Sequence, residues 1–250
     1  KVTVFCGVPG MYIAMLQLME AQKSDISSLR LCISGGAPLP EEVYKTYLEK
    51  YNITLIQGSG PTEAPTFIGG PSSHKFGSVG RPIEGVTLKV VDSNNRELPL
   101  GELGEICIKG PNVMLGYQNM PEATAEVIID GWFHTGDIGR IDEEGYTYLV
   151  DRKKDMILVG GLNVYPREVE ECLYKHPDVY EAAVVGVPDK ERGQIPKAFI
   201  VLKSEAKATA KDIILHCRKY LSNYKCPRDV AFIDSLPKTA TGKTDKTRLV

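Results

Sequence analysis

No hydrophobic run in the sequence approaches the roughly 20 residues that span a bilayer, and no secretory signal pattern is present. Low-complexity tracts and internal repeats are missing as well. Excess charge of one sign is missing too: 30 Lys and Arg stand against 32 Asp and Glu, a formal net charge of −2. That balance excludes a polycationic nucleic-acid binder and an electrostatic membrane anchor. Cysteine is sparse, with six residues at positions 6, 32, 107, 172, 217 and 226. No pair forms CxxC, and no histidine stands at zinc spacing from them. Most sit in apolar runs such as Leu31-Cys32-Ile33 and Ile106-Cys107-Ile108, so buried thiols in a reducing compartment, the cytoplasm, are expected.

What is present suffices for one or two packed domains: 250 residues, 42% of them hydrophobic. Val2–Phe5 is expected as a buried strand at the very start, as in a piece of a longer protein. Leu29–Ser34 is a second strand, broken by Gly35-Gly36-Ala37-Pro38. A helix comes next, with Pro40 at its first position, Glu41 and Glu42 complementing its dipole, and Val43, Tyr47 and Leu48 on one face. Ile53–Gln57 is the next strand, broken by Gly58-Ser59-Gly60-Pro61. This strand–helix–strand pattern predicts a parallel pair, with both glycine-rich loops at the carboxyl end where open parallel sheets hold ligands.

From Gly85 to Val150 short strands (Val86–Val91, Glu105–Lys109, Tyr146–Val150) alternate with turns, which predicts a small antiparallel barrel-like subdomain. After Asp151 the pattern becomes α+β. A helix opens at Pro166 with Val169, Cys172 and Leu173 on its apolar face. Ala182–Val187, Ala198–Leu202 and Asp229–Ile233 are strands. Thr209 and Asp212 suggest a capping box ahead of a helix with Ile213, Cys217, Tyr220 and Leu221 on one face. The expected fold is therefore α/β plus α+β: residues 1–84 α/β, 85–150 β-rich, and 151–250 a separate small domain.

The loop Pro237-Lys238-Thr239-Ala240-Thr241-Gly242-Lys243-Thr244 carries Gly-Lys-Thr. A phosphate-binding P-loop would need a further glycine where Pro237 stands, a strand before it and a helix after it. Taken alone, Lys243 is a solvated lysine near the chain end.

Other segments change that weighting. Ser59-Gly60-Pro61-Thr62-Glu63 resembles the aromatic-Gly-x-Thr-Glu motif of AMP-forming acyl-CoA synthetases, luciferases and nonribosomal adenylation domains. Gly101–Ile106 through Gly116-Tyr117, Trp132–Asp137, Asp151–Asp155 through Gly160-Gly161 to Glu170, Pro237–Lys243 and Gly35–Leu39 resemble further motifs of that superfamily, in order. The resemblance covers essentially the whole chain and is strongest to fatty acyl-CoA ligases. It identifies the chain as the C-terminal half of such an enzyme, a large-domain portion followed by a small mobile lid.

The resemblance implies two half-reactions: a carboxylate plus ATP gives acyl-AMP and pyrophosphate, and coenzyme A then displaces AMP. It also implies site residues. Lys243 would steady the departing pyrophosphate. Thr62 would bond the α-phosphate, and Glu63 would hold Mg²⁺. Gly36, Ala37, Gln57, Gly58, Ser59 and Gly60 would form the adenine slot. Asp137 would accept the ribose hydroxyls, with Arg152 and Lys154 beside the nucleotide. Gly160 and Gly161 would admit coenzyme A, and Asp151 would be the hinge. Ser59 departs from the usual adenine-stacking aromatic, and Leu158 stands where some relatives carry a second lysine. The Ser/Thr/Gly-rich phosphate loop is absent, so the isolated chain is expected not to turn over. The expected partners are a small carboxylic acid, ATP and coenzyme A; a homodimer is allowed for. Alternatives are an adenylation domain loading a carrier protein and a truncated nucleotide binder without turnover.

Overall fold

The computed structural model describes residues 1–22, 25–66, 74–240 and 242–249. They form two compact units, Lys1–Leu39 with Tyr44–Lys153, and Pro40–Val43 with Lys154–Val250.

The first unit opens with β1 (Val4–Gly7), α1 (Pro9–Gln22), β2 (Leu31–Ser34), α2 (Glu41–Tyr51) and β3 (Leu55–Gln57). The three strands make a parallel sheet in the order β1-β2-β3. Tyr12 of α1 ties the helix to the sheet by donating to the carbonyls of Ile33 (2.8 Å) and Phe5 (3.1 Å). Tyr47 of α2 donates in turn to the carbonyl of Tyr12 at 3.0 Å. Two expectations need correction. The opening strand lies at Val4–Gly7, and its residues are half-buried or exposed. Leu48 is 39% exposed, whereas Val43 and Tyr47 are buried. The helix α1 was not expected: apolar residues fall on every face of Pro9-Gly-Met-Tyr-Ile-Ala-Met-Leu, so no helical period is visible.

The rest of this unit is an antiparallel sheet of β4 (Thr87–Val91), β5 (Gly104–Lys109), β6 (Ile128–Ile129), β7 (Trp132–Ile141) and β8 (Thr147–Arg152), with the short α3 (Pro121–Val127) before β6. The order is β4-β5-β7-β6, with β8 also on β7, an open half-barrel. β8 runs two residues past the expected end at Val150, carrying Asp151 and Arg152 into the ladder. The β7–β8 turn is organised by Asp142. Its carboxylate accepts from the backbone of Glu144 and Tyr146, from the Tyr148 hydroxyl and from Lys75 Nζ at 2.7 Å.

The second unit begins with the hairpin β9 (Ile157–Val159) and β10 (Leu162–Val164), then α4 (Pro166–Tyr174), β11 (Val179–Asp189), β12 (Gly193–Leu202), α5 (Ala210–Tyr220) and β13 (Asp229–Phe232). Its sheet runs β10-β9-β12-β11, with β13 parallel to β12. Val169, Cys172 and Leu173 of α4 and Ile213 and Cys217 of α5 share one buried cluster with Val184, Ala198 and Ile200. The capping box at Thr209 and Asp212 is formed. Tyr220, expected on the apolar face, is instead 63% exposed; its ring packs against that of His216, with centroids 5.1 Å apart.

Leu173 is fully buried, so Leu173→Ala should cost about 2–5 kcal/mol in urea unfolding, against about 1 kcal/mol for Thr209→Ala at the exposed cap. Equal losses would contradict this core. Burial raises the Asp142 pKa, but Lys75 and the turn donors outweigh it and hold the carboxyl at about 2. The unfolded value is near 3.8, so this stabilisation is complete above about pH 4 and declines as pH falls toward 2. Wild type and Asp142→Asn should therefore converge in stability over that window; a constant gap would refute the assignment.

Candidate active site

The carboxyl ends of the parallel strands meet as a row, with Gly7 opposite Ser34 and Ser34 opposite Gln57. Gly35 donates to the Gly7 carbonyl (3.1 Å) and Gly58 to the Ser34 carbonyl (2.9 Å), which extends the row into both glycine-rich loops. A Cβ on Gly35 would lie 3.6 Å from the Gly58 carbonyl, so the two loops are adjacent. Gly36 has φ +79°, a conformation that disfavours any side chain. Ala37, Gln57, Gly58 and Ser59 are half-buried, and Gly60 is exposed. A Cβ on Gly60 would come within 3.1 Å of the Thr66 backbone, so glycine there permits close packing. Ser34 Oγ, buried at the end of β2, has no hydrogen-bond partner.

Thr62 is exposed, and Glu63 is half-buried. The Tyr117 hydroxyl donates to Glu63 Oε1 at 2.8 Å, while the Glu63 carbonyl accepts from Met114 N at 2.7 Å. The glutamate is thus held from the Gly116-Tyr117 turn. Among the described residues no group of three or more His, Cys, Asp or Glu could hold a metal ion. Glu63 alone still suits Mg²⁺, which takes one or two carboxylates and fills its remaining positions with phosphate oxygens and water.

The Thr135-Gly136-Asp137 segment is the most tightly built part. Between the β5–β7 pairs Glu105–Ile138 and Cys107–His134, β7 carries additional residues, so this segment bulges from the ladder. Thr135 Oγ1 donates to the Ile106 carbonyl (2.7 Å) and accepts from Asp137 N (3.0 Å). Glu105 Oε1 accepts from Gly136 N at 3.1 Å. Arg152 Nη1 donates to Asp137 Oδ1 at 2.7 Å and to the Thr135 carbonyl at 3.1 Å. Burial pushes the Asp137 carboxyl above its ordinary value, and Arg152 offsets that only in part, because Asp151 and Glu105 raise it further.

Asp151 is held in the β8 ladder opposite Ile138, inside the first unit, and the second unit resumes three residues later at Lys154. Lys154 is exposed, as are Gly160 and Gly161. Those glycines, with φ +57° and +84°, form the two-residue turn of the β9–β10 hairpin, and a Cβ on either would meet nothing within 4 Å. Glycine is there for backbone reasons, whatever else passes by. Lys243 lies in a tight terminal turn. Thr239 N donates to the Lys243 carbonyl (2.8 Å), Gly242 N donates to the Thr239 carbonyl, and Lys238 bridges Thr244. Lys238 and Lys246 pair with Glu181 and Glu170, whereas the Lys243 side chain is exposed. Thr241 lies outside the described residues.

Sequence reasoning missed Tyr117 as the support of Glu63, and Glu105, Lys153 and His134 beneath Asp137. Glu105 carried a signal: it is a charge beside the apolar run Ile106-Cys107-Ile108.

The AMP-binding enzyme profile matches residues 1–118, and that of the AMP-binding enzyme C-terminal domain matches residues 168–243. A long-chain-fatty-acid–CoA ligase of Bacillus subtilis is 45% identical over 256 residues, covering 100% of this chain and 45% of that protein. A feruloyl-CoA synthase of an Amycolatopsis species is 42% identical over 97% of this chain and 50% of its own length. The ATP-bound crystal structure of MatB from Rhodopseudomonas palustris superposes with a TM-score of 0.93 at 36% identity, over 100% of this chain and 50% of that one. Parallel-sheet loops, a Thr-Gly-Asp bulge and a separate α+β unit are thus those of the adenylate-forming class. The chain belongs to the AMP-binding enzyme family and spans about half the length of the relatives it matches.

Cys107 Sγ lies 3.5 Å from His134 Nδ1, which is 3.6 Å from Glu105 Oε2. The trio has the composition of a nucleophile relay, but burial, aided by Glu105, pushes the thiol up to about 12. Cys107 should therefore resist iodoacetamide at pH 8 in the folded protein and react once unfolded in guanidinium. Rapid labelling of the folded form, read by mass spectrometry, would overturn this.

Proposed function

We propose that this chain is the C-terminal half of an AMP-forming acyl-CoA synthetase acting on a hydrophobic carboxylic acid, with a fatty acid as the first choice. The observation that carries the reading is the Asp137–Arg152 pair, a half-buried carboxylate on the bulge and a planar cation from the end of β8, 2.7 Å apart. A carboxylate flanked by a guanidinium suits the two adjacent hydroxyls of a ribose.

In this reading the substrate carboxylate oxygen attacks the α-phosphorus of ATP, the bond to the bridging oxygen breaks, and pyrophosphate leaves. Thr62 donates to the α-phosphate, and Lys243 places a compact charge against the leaving oxygens. Glu63, held by Tyr117, supplies the carboxylate for Mg²⁺, which would offset phosphate charge when bound. Gly36, Ala37, Gln57, Gly58, Ser59 and Gly60 line the adenine, and Lys154 adds positive charge near the phosphates. The thiol of coenzyme A then attacks the acyl carbonyl, AMP leaves, and the thiol proton passes to solvent. Gly160 and Gly161 present backbone without side chains to the acceptor arm. Asp151 is the hinge between the two steps. The reducing cytoplasm is the compartment that suits these substrates.

The Bacillus relative supports a fatty acid. An aromatic acid is the second reading, favoured by the nearly equal identity to the Amycolatopsis feruloyl-CoA synthase. Pyrophosphate release by the full-length protein, with saturated acids of rising length and with hydroxycinnamates, separates the two. Omitting coenzyme A in favour of a carrier protein tests the remaining acceptor.

Lys243→Ala in the full-length protein should lower acid-dependent pyrophosphate release by about 10²-fold or more. Thioester formation from supplied acyl-AMP should stay within about threefold of wild type. Parallel loss of both half-reactions would remove Lys243 from its role.

A further inference from the structure

Glu105 is 8% exposed and stands next to buried Ile106, Cys107 and Ile108 on β5. A carboxylate in that position is costly unless it is fully engaged. Its two oxygens take different partners. Oε1 accepts from the backbone N–H of Gly136, between Thr135 and Asp137, and Oε2 accepts from Lys153 Nζ at 2.9 Å. His134 Nδ1 lies 3.6 Å from Oε2. Burial raises the Glu105 pKa, but Lys153 and the Gly136 N–H outweigh it and hold the carboxyl below its usual range. Lys153 directly follows Arg152, the residue that grips Asp137. Glu105 and Asp137 are thus served by two consecutive cations, Lys153 and Arg152.

We propose that Glu105 is a positioning residue for the ribose. By clamping Gly136 from one side and Lys153 from the other, it fixes the bulge so that Asp137 and Arg152 stand preformed for the sugar hydroxyls. The inference rests on the adenylation reading and deepens it. A bulge projecting from its ladder has lost strand hydrogen bonds that would otherwise locate it. β5 replaces them with two: Thr135 Oγ1 on the Ile106 carbonyl and Gly136 N on Glu105. Of these, only the Glu105 contact also fixes the chain that carries Arg152. The same carboxylate repels Asp137, so a purely electrostatic account predicts that neutralising it would leave ribose binding intact or improve it. A positioning account predicts that removing its contacts to Gly136 and Lys153 weakens ribose binding, whereas a neutral residue that keeps the Gly136 contact does so far less.

The test is calorimetric binding of AMP and of 2′,3′-dideoxy-AMP to the full-length protein. Glu105→Met removes both contacts at similar volume. It should weaken AMP about tenfold and leave the dideoxy compound, which lacks the hydroxyls Asp137 would accept, unchanged. Glu105→Gln, which keeps an acceptor for Gly136, should recover most of that loss. Lys153 is 57% exposed in its side chain, so Lys153→Met should fold even where Glu105→Met does not. It should weaken AMP about threefold with the same dependence on the hydroxyls. Equal weakening of both nucleotides, or unchanged AMP affinity in folded variants, overturns the proposal. Failure of wild type to bind AMP sinks the adenylation reading itself. AMP binding without pyrophosphate release for any acid leaves the role of Glu105 standing.

Discussion

Two carboxylates, Glu105 and Asp137, are withdrawn from water where β5 and β7 meet, and the end of β8 makes that tolerable. Neither can stay ionised there without a cation. Both cations come from one short stretch, Arg152 at the end of β8 and Lys153 just after it, so β8 must reach the site in a fixed register. That register is set at the other end of the hairpin, where Asp142 gathers two backbone donors, a tyrosine hydroxyl and Lys75. A one-residue slip of β8 would turn Arg152 to the other face of the sheet, away from Asp137, and displace Lys153 from Glu105. The turn is therefore part of the site, although it touches none of the residues in it.

The glycines of the chain divide by what a side chain would meet. Gly104 and Gly139 face each other across β5 and β7, and a Cβ on either would collide with a backbone oxygen, of Val91 and of Tyr148 respectively. These two let strands approach around the bulge. Gly136, Gly160 and Gly161 have empty space where a Cβ would go but positive φ, so there the backbone itself requires glycine. The distinction matters for Gly160-Gly161. Its hairpin turn accounts for glycine fully, and a role toward an acceptor thiol must be argued from what passes over the turn.

Much of the fold was legible because the local signals agreed with the tertiary answer. The capping box at Thr209, the face of α4 and the parallel pair around Gly35 and Gly58 each combine period, cap and breaker in one short stretch. The failures have physical causes. Helix α1 has no polar face to reveal its period. Tyr220 and Leu48 lie at the margins of their helical faces, where half a turn decides between core and water. Strand β7 was visible only as a motif, because its Gly136, Asp137 and Arg140 break the alternation that marks a strand. The residues named at the site carry recognisable side-chain types, whereas their supports do not. Tyr117, Lys153 and Glu105 become meaningful only when the ladders bring them to Glu63, Gly136 and Asp137.

The terminal Gly-Lys-Thr shows how little residue type decides without geometry. A P-loop works because consecutive N–H groups and a helix N-terminus converge on phosphate. Here the chain around Lys243 folds back on itself. Asp245 N reaches the Pro237 carbonyl, Thr239 N takes the Lys243 carbonyl, and Gly242 N takes that of Thr239. Those donors are consumed within the turn, and a 3₁₀ turn follows at Lys246–Arg248. Those three N–H groups are turned inward and are not offered to an anion. What it does offer is a side chain: the exposed Lys243, flanked by Lys238 and Lys246, which are held by Glu181 and Glu170 of the same unit. Such a group acts as a point charge, effective only where the rest of a phosphate site is supplied by other residues. That is the division of labour expected if Lys243 assists the departure of pyrophosphate and does not bind the nucleotide.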